Sequence, residues 1–309
     1  MTHHKINLED KVSMKGEISG TYRKVIDVGT EDIVIARFWV QPFRILERTT
    51  FSDEQKGKIQ KVLNQLAEDM LSLRDDIMSY SKEVKRYFEG VKSGDFYERK
   101  GNIEYFKEVF HGKKLVENFY FHAELCKRDV YRLLKLIEPD CPNWPNMKKF
   151  FSKDPINYRR LEGVFITQYE DLGVIREIRG YIEHGDPDKK NKIEEDFDIT
   201  DIYLEETEKG TAFHQPYFNY PNEVTITDLN GSKKNISLEK ITVIDLLDKH
   251  FWAIFNVCEN LSTFPLIKHL SSDWQPRCIA MSNYDPKCPV QWIVEPSQTP
   301  RRTVNHPPT

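Results

Sequence analysis

Four residues in the middle of the chain have types and spacing suited to phosphate chemistry. Arg176, Arg179, Glu183 and His184 lie within DLGVIREIRGYIEHGD, Asp171 to Asp186. A histidine titrates near neutral pH and can move a proton at a hydroxyl or a leaving oxygen. An arginine stays charged and offers a planar fork of donors, which suits charge developing on phosphorus. Arg179 and His184 are therefore the pair whose chemistry is in question, with Arg176 and Glu183 as candidate substrate contacts beside them. A purely structural reading stands beside this one. Arg179 and Glu183 have the four-residue spacing of a surface ion pair, and a helix end favours a cation such as His184. The same Arg-x4-His spacing recurs at Arg301 and His306, in a tail not expected to fold. Context must therefore decide what the spacing means.

That context is the end of a helix. Ile175, Ile178 and Ile182 recur at helical spacing and share one face. Gly185, just past His184, is a residue that suits a helix C-terminus. The helix reads from about Tyr158, carrying Leu161, Val164, Phe165 and Leu172. Gly163, Gly173 and Gly180 interrupt it, each at a cost of about 1 kcal/mol relative to Ala. Gly173 and Gly180 share a face, which points to the close approach of another helix, such as one from a second copy.

Two earlier helices support this one. From Ser52, Ile59, Leu63, Leu66, Met70, Leu73, Ile77, Tyr80, Val84 and Phe88 keep 3/4 spacing, and Gly90 ends the run. Asn102 to His111 reads as a short helix broken by Gly112. Val116, Phe119, Ala123, Cys126, Val130, Leu133 and Ile137 then repeat until Pro139 and Pro142 stop them. The two long helices make an antiparallel pair. A final helix carries Ile244, Leu247, Phe251, Ile254, Cys258 and Leu261, with Thr242 and Asp245 placed to cap it. Ahead of it, Glu223–Leu229 and Ser232–Leu238 form a hairpin about Asn230-Gly231, a pair suited to a type I′ turn. The run Ile33 to Val40 reads as a strand stopped by Pro42.

The organisation expected is an N-terminal segment with a short strand over 1–51 and a helical domain over 52–264. A β insertion falls at about 187–238, and a Pro-rich C-terminal tail covers 265–309. The fold class is mainly α, a helical bundle with a small β-hairpin insertion.

Composition narrows the function. The chain has 309 residues with a formal net charge of −4, so any nucleic-acid contact must use a local patch. Cys126, Cys141, Cys258, Cys278 and Cys288 form no CxxC pair, so no metal site is expected. No apolar run reaches the length of a membrane span, and Met1 begins a polar segment unlike a signal peptide. The expected compartment is the cytoplasm. His111, His122, His214, His250 and His269 are scattered and mark no triad.

Arg179-Gly180-Tyr181-Ile182-Glu183-His184 resembles the Rx4-6H signature of the HEPN superfamily. The resemblance implies an all-α bundle, usually dimeric, in which two motif copies face each other. It also implies a metal-independent endoribonuclease acting in toxin, antiphage or RNA-processing systems, with no cofactor. Its implied partners are a second copy, RNA, and an antitoxin or other defence-system protein. Arg179 and His184 match the motif, and the resemblance implies that they are the catalytic residues. Gly180 takes the place of the polar residue that commonly follows the Arg, and Asp186 stands where one subgroup has a modifiable Tyr. The alternative is a non-catalytic interaction or sensor subunit, or a nucleotide-binding protein using the same cluster. Gly180 and the net acidity favour that alternative.

Overall fold

The computed structural model describes residues 32–100, 103–106, 108–143, 147, 151, 155–184, 197–200, 202–207, 210–278 and 292–297. The charged loop expected after His184 and the final residues of the tail lie outside the described residues. The molecule is mainly α-helical, with small antiparallel strand pairs.

Among the described residues, four long helices build the bundle. They are α2 (Asp53–Ser93), α3 (Gly112–Ile137), α4 (Pro155–His184) and α5 (Val243–Lys268); a shorter α1 (Gln41–Glu47) precedes them. Ser52 caps α2, its hydroxyl accepting from the Gln55 N–H at 3.3 Å. The helix passes through Gly90 and ends at Gly94, whose φ of +79° supplies the left-handed cap. Thr242 caps α5 in the expected way, accepting from the Asp245 N–H at 3.3 Å. The α2 and α3 stripes meet along their length: Leu66, Met70 and Tyr80 lie with Val116, Phe119, Ala123 and Val130 in one core.

The central element is α5. Its residues are buried nearly all round, from Val243 through Leu247, Phe255 and Cys258 to Leu266, as expected of a helix wrapped by neighbours. It contacts α1, α2, α3 and α4. It also runs through Pro265 to Lys268, three residues beyond the expected start of the tail.

Three further expectations are corrected. The run Ile33 to Val40 is helical, not a strand: a π-helix spans Ile35–Val40 and leads directly into α1, with Pro42 in the first turn of α1. Asp32 Oδ1 accepts the Val34 N–H at 2.9 Å and starts the helical turn. Val34, Ile35, Ala36 and Phe38 are all buried, so the run lacks the alternation that separates a strand from a buried helix. The short helix expected over Asn102 to His111 is not formed among the described residues of that span. Its first part is β2 (Ile103–Phe106), antiparallel to β1 (Tyr97–Lys100). An apolar stretch this short carries too few turns to distinguish the two periodicities, and a short isolated helix is marginal. Part of the expected tail forms a strand pair, β9 (Trp274–Cys278) with β10 (Trp292–Pro296). It is tied to α1 where the Trp292 N–H donates to Gln41 Oε1 at 2.8 Å.

The insertion between α4 and α5 contains β3 (Asp198–Ile199) paired with β6 (Phe218–Tyr220), and β4 (Tyr203–Thr207) paired with β5 (Gly210–His214). The expected hairpin is β7 (Glu223–Thr227) with β8 (Lys233–Ser237). Its turn is not type I′. The Gly231 N–H donates to the Asp228 carbonyl at 3.0 Å, and Gly231 alone takes a positive φ, +85°. This is the type I turn followed by a left-handed glycine used in three-residue loops. Asp228 Oδ1 accepts from the Asn230 and Ser232 N–H groups and holds it.

Buried Val224 and Ile226 lay the hairpin against α4. At Gly173, Ile226 approaches so closely that an added Cβ would lie 3.2 Å from its Cγ2. The close neighbour at Gly173 is therefore this chain's own β7, not another helix. Beside Gly180 an added Cβ would meet nothing within 4 Å.

Candidate functional site

The last turns of α4 bring three of the four sequence candidates together. Arg179 pairs with Glu183 through Nη2 and Oε1, one turn further on. His184 Nε2 lies 3.8 Å from Glu183 Oε2. Arg176 does not join them: its guanidinium pairs with the adjacent Glu177 at 2.6 Å and is exposed. The i,i+4 spacing of Arg179 and Glu183 accounts for their pairing directly.

Burial separates Arg179 from His184. The Arg179 side chain is 16% exposed and His184 is 79% exposed. Arg179 is held by α3, where its guanidinium carbon lies 5.4 Å from the centre of the Phe121 ring. A guanidinium over an aromatic face is attracted by the ring quadrupole. Phe121 is itself half-exposed, so this face of α3 stays accessible. Arg179 Nε is buried and has no hydrogen-bond partner among the described residues. The insertion flanks the same end of α4, with the Tyr181 and Tyr220 rings 5.6 Å apart.

A second pair of groups lies next to this one, and no motif marks it. His122 follows Phe121 on α3, their ring centres 5.5 Å apart. His122 Nδ1 is 2.6 Å from Asp76 Oδ2 on α2. Asp76 is 13% exposed and His122 25%. Desolvation holds the Asp76 carboxyl above its ordinary range, opposed by the hydrogen bond and charge of His122. Sequence reading missed the pair because 46 residues separate its members. Their placement on two apolar-striped helices expected to run antiparallel is the only signal that could have joined them.

Other titratable groups lie deeper. Asp69 of α2 and Asp129 of α3 face each other in the interior, 5% and 0% exposed. Burial, then the hydrogen bond to Asp129, pushes Asp69 up to about 6. Cys126, Cys141 and Cys258 are buried free thiols. Among the described residues, no three His, Cys, Asp or Glu side chains come together as a metal cluster, and no helix is long and apolar enough to cross a membrane.

Two open clefts lie elsewhere. One of about 540 Å³ at the start of α3 is lined by Lys82, Glu83, Arg86, His111 and Lys114 among others. The other, of about 450 Å³, lies between α4, α5 and Arg37. Neither includes Arg179 or His184.

No family model matches the chain, and no curated protein or solved structure matches it. The class is thus defined by the fold itself: a mainly α-helical bundle with small antiparallel strand pairs, carrying an Arg/Glu/His cluster at the exposed end of α4.

Proposed function

We propose that the chain is a HEPN-type, metal-independent endoribonuclease that works as a homodimer. Arg179 holds the scissile phosphate and His184 moves a proton at the reacting oxygens. The observation that carries this reading is the contrast at the end of α4. Arg179 is anchored by Glu183 and Phe121, while His184 five residues on stands open to solvent. An anchored cation and an accessible proton carrier are the two groups that such chemistry needs. An exposed helix end encloses a phosphate only when a second surface meets it, which is why the reading includes two copies. Its setting would be toxin, antiphage or RNA-processing activity.

The test is incubation of purified protein with total cellular RNA in EDTA, beside Arg179→Ala and His184→Ala. Discrete fragments that disappear with both variants support the nuclease. Intact RNA from a folded dimer rejects it and leaves a non-catalytic interaction or sensor subunit. The charge pairing of Arg179 with Glu183 and of Arg176 with Glu177 favours that second reading, because it reduces the local positive charge.

A further inference from the structure

We infer that His122, oriented by Asp76, is a second proton-transfer residue of this site and acts as the general base. The inference rests on the ribonuclease reading and deepens it. Cleaving RNA without a metal needs one group to take a proton from the nucleophile and another to give one to the leaving oxygen. His184 is poorly suited to supply both functions: it is 79% exposed, and the nearest carboxylate oxygen is 3.8 Å away.

His122 has the constraint that His184 lacks. With Asp76 ionised, its carboxylate can only accept, so the nitrogen 2.6 Å away, Nδ1, carries the proton. Nε2 is then the basic nitrogen, and the carboxylate fixes both the tautomer and the ring orientation. The ring remains 25% exposed, so a substrate hydroxyl can reach it. Phe121 links this histidine to Arg179, its ring centre lying 5.4 Å from the guanidinium carbon and 5.5 Å from the centre of the His122 ring. Asp76 and, more remotely, Asp69 are the α2 carboxyls that interact with His122, and Arg179 of α4 lies against the neighbouring Phe121 ring.

In this step His122 Nε2 takes the proton of a ribose 2′-hydroxyl. The 2′-oxygen bonds to phosphorus, and the bond from phosphorus to the 5′-oxygen breaks. Protonated His184 gives its proton to the leaving 5′-oxygen. The products are a 2′,3′-cyclic phosphate and a 5′-hydroxyl, and solvent restores both imidazoles. No oxidant, reductant or further reactant is needed.

The first readout requires no turnover. Imidazole ¹⁵N shifts of the wild-type protein at neutral pH are expected to show His122 protonated at Nδ1; an Nε2–H tautomer overturns the assignment. The second uses His122→Asn, whose amide still donates to Asp76. Its kcat/KM is expected to fall about 10²- to 10⁴-fold with loss of the acid limb of the pH–rate profile. An RNA with a 5′-bridging sulfur, which leaves without protonation, is expected to restore cleavage by His184→Ala but not by His122→Asn. Should His122→Asn fail to fold, Asp76→Asn supplies the test, because an amide that can also donate no longer fixes Nδ1–H: kcat is expected to fall at least about 10-fold with KM unchanged. Wild-type cleavage by His122→Asn, its rescue by the sulfur substrate, or an unchanged kcat in Asp76→Asn each overturns the inference. A wild-type protein that leaves RNA intact removes the ribonuclease reading itself, a separate failure.

Discussion

Tyr120 Oη lies 3.0 Å from His250 Nδ1 in the interior where α3 meets α5, and both side chains are fully buried. His250 Nε2 has no hydrogen-bond partner among the described residues. Desolvation, helped by the charge of Lys249, pushes the imidazole down to about 3 from its ordinary 6.5. A depressed histidine is neutral in the fold, while the unfolded chain takes up its proton below pH 6.5. This contribution is fully present above pH 6.5 and is lost as pH falls toward 3. Urea unfolding of wild type and His250→Gln from pH 3 to 8 isolates it. The difference between them is expected to move toward the Gln variant by about 1.4 kcal/mol per unit below pH 6.5. A flat difference rejects the neutral buried histidine.

The carboxyl pair between α2 and α3 has the opposite sign. Asp69 is raised from 3.8 to about 6, so its cost is absent below about pH 4 and complete above about pH 6. Asp69→Asn keeps the shape and donates to the Asp129 carboxylate. Its thermal midpoint is expected to exceed that of wild type at pH 7.5, by the equivalent of roughly 2–3 kcal/mol if the whole shift is relieved. The gain should vanish near pH 4, and a gain independent of pH would mean that ionisation of Asp69 is not its source.

Gly173 and Gly180 lie on the same helix in different surroundings. Gly180→Ala meets open space and is expected to stabilise the protein by up to about 1 kcal/mol. Gly173→Ala must displace Ile226 and is expected to gain less or to lose stability. Thermal unfolding of the two variants separates them. A Gly180→Ala protein that is more stable but no longer self-associates would show that a second copy uses this face.

The two motif residues should also part company. His184 is so exposed that His184→Ala is expected to change stability by no more than about 0.5 kcal/mol while reducing RNA cleavage at least about 10²-fold. Arg179→Ala removes the Phe121 and Glu183 contacts and is expected to lose about 0.5–1 kcal/mol as well as cleavage. Calorimetry beside the cleavage assay checks both, and an active His184→Ala excludes His184 from the chemistry.

What the sequence determined by itself is local. The 3/4 spacing of Ile59 to Tyr80, of Val116 to Ile137 and of Ile244 to Leu261 specifies helices because each apolar stripe needs a partner. Thr242 is legible as a cap because the N–H it bonds lies only three residues away, whereas Ser52 and Asp53 both suited the start of α2 and the fold uses Ser52. The pairing of Arg179 with Glu183 was legible for the same reason, one helical turn being enough to make it.

Tertiary structure decided the rest, since it depends on what lies opposite. The run at Val34 to Phe38 has no exposed face to betray its period, and its burial among other elements set its state. The antiparallel register of α2 and α3 sets Asp69 against Asp129 and, seven residues on in one helix and seven back in the other, Asp76 against His122. A shift of either helix along the other would break both pairs while leaving each helix's own periodicity unchanged. Register is a property of two packed surfaces: that of α2 on α3 brings a histidine and a carboxylate from distant parts of the chain together, and the packing of α4 on α3 sets Arg179 against Phe121.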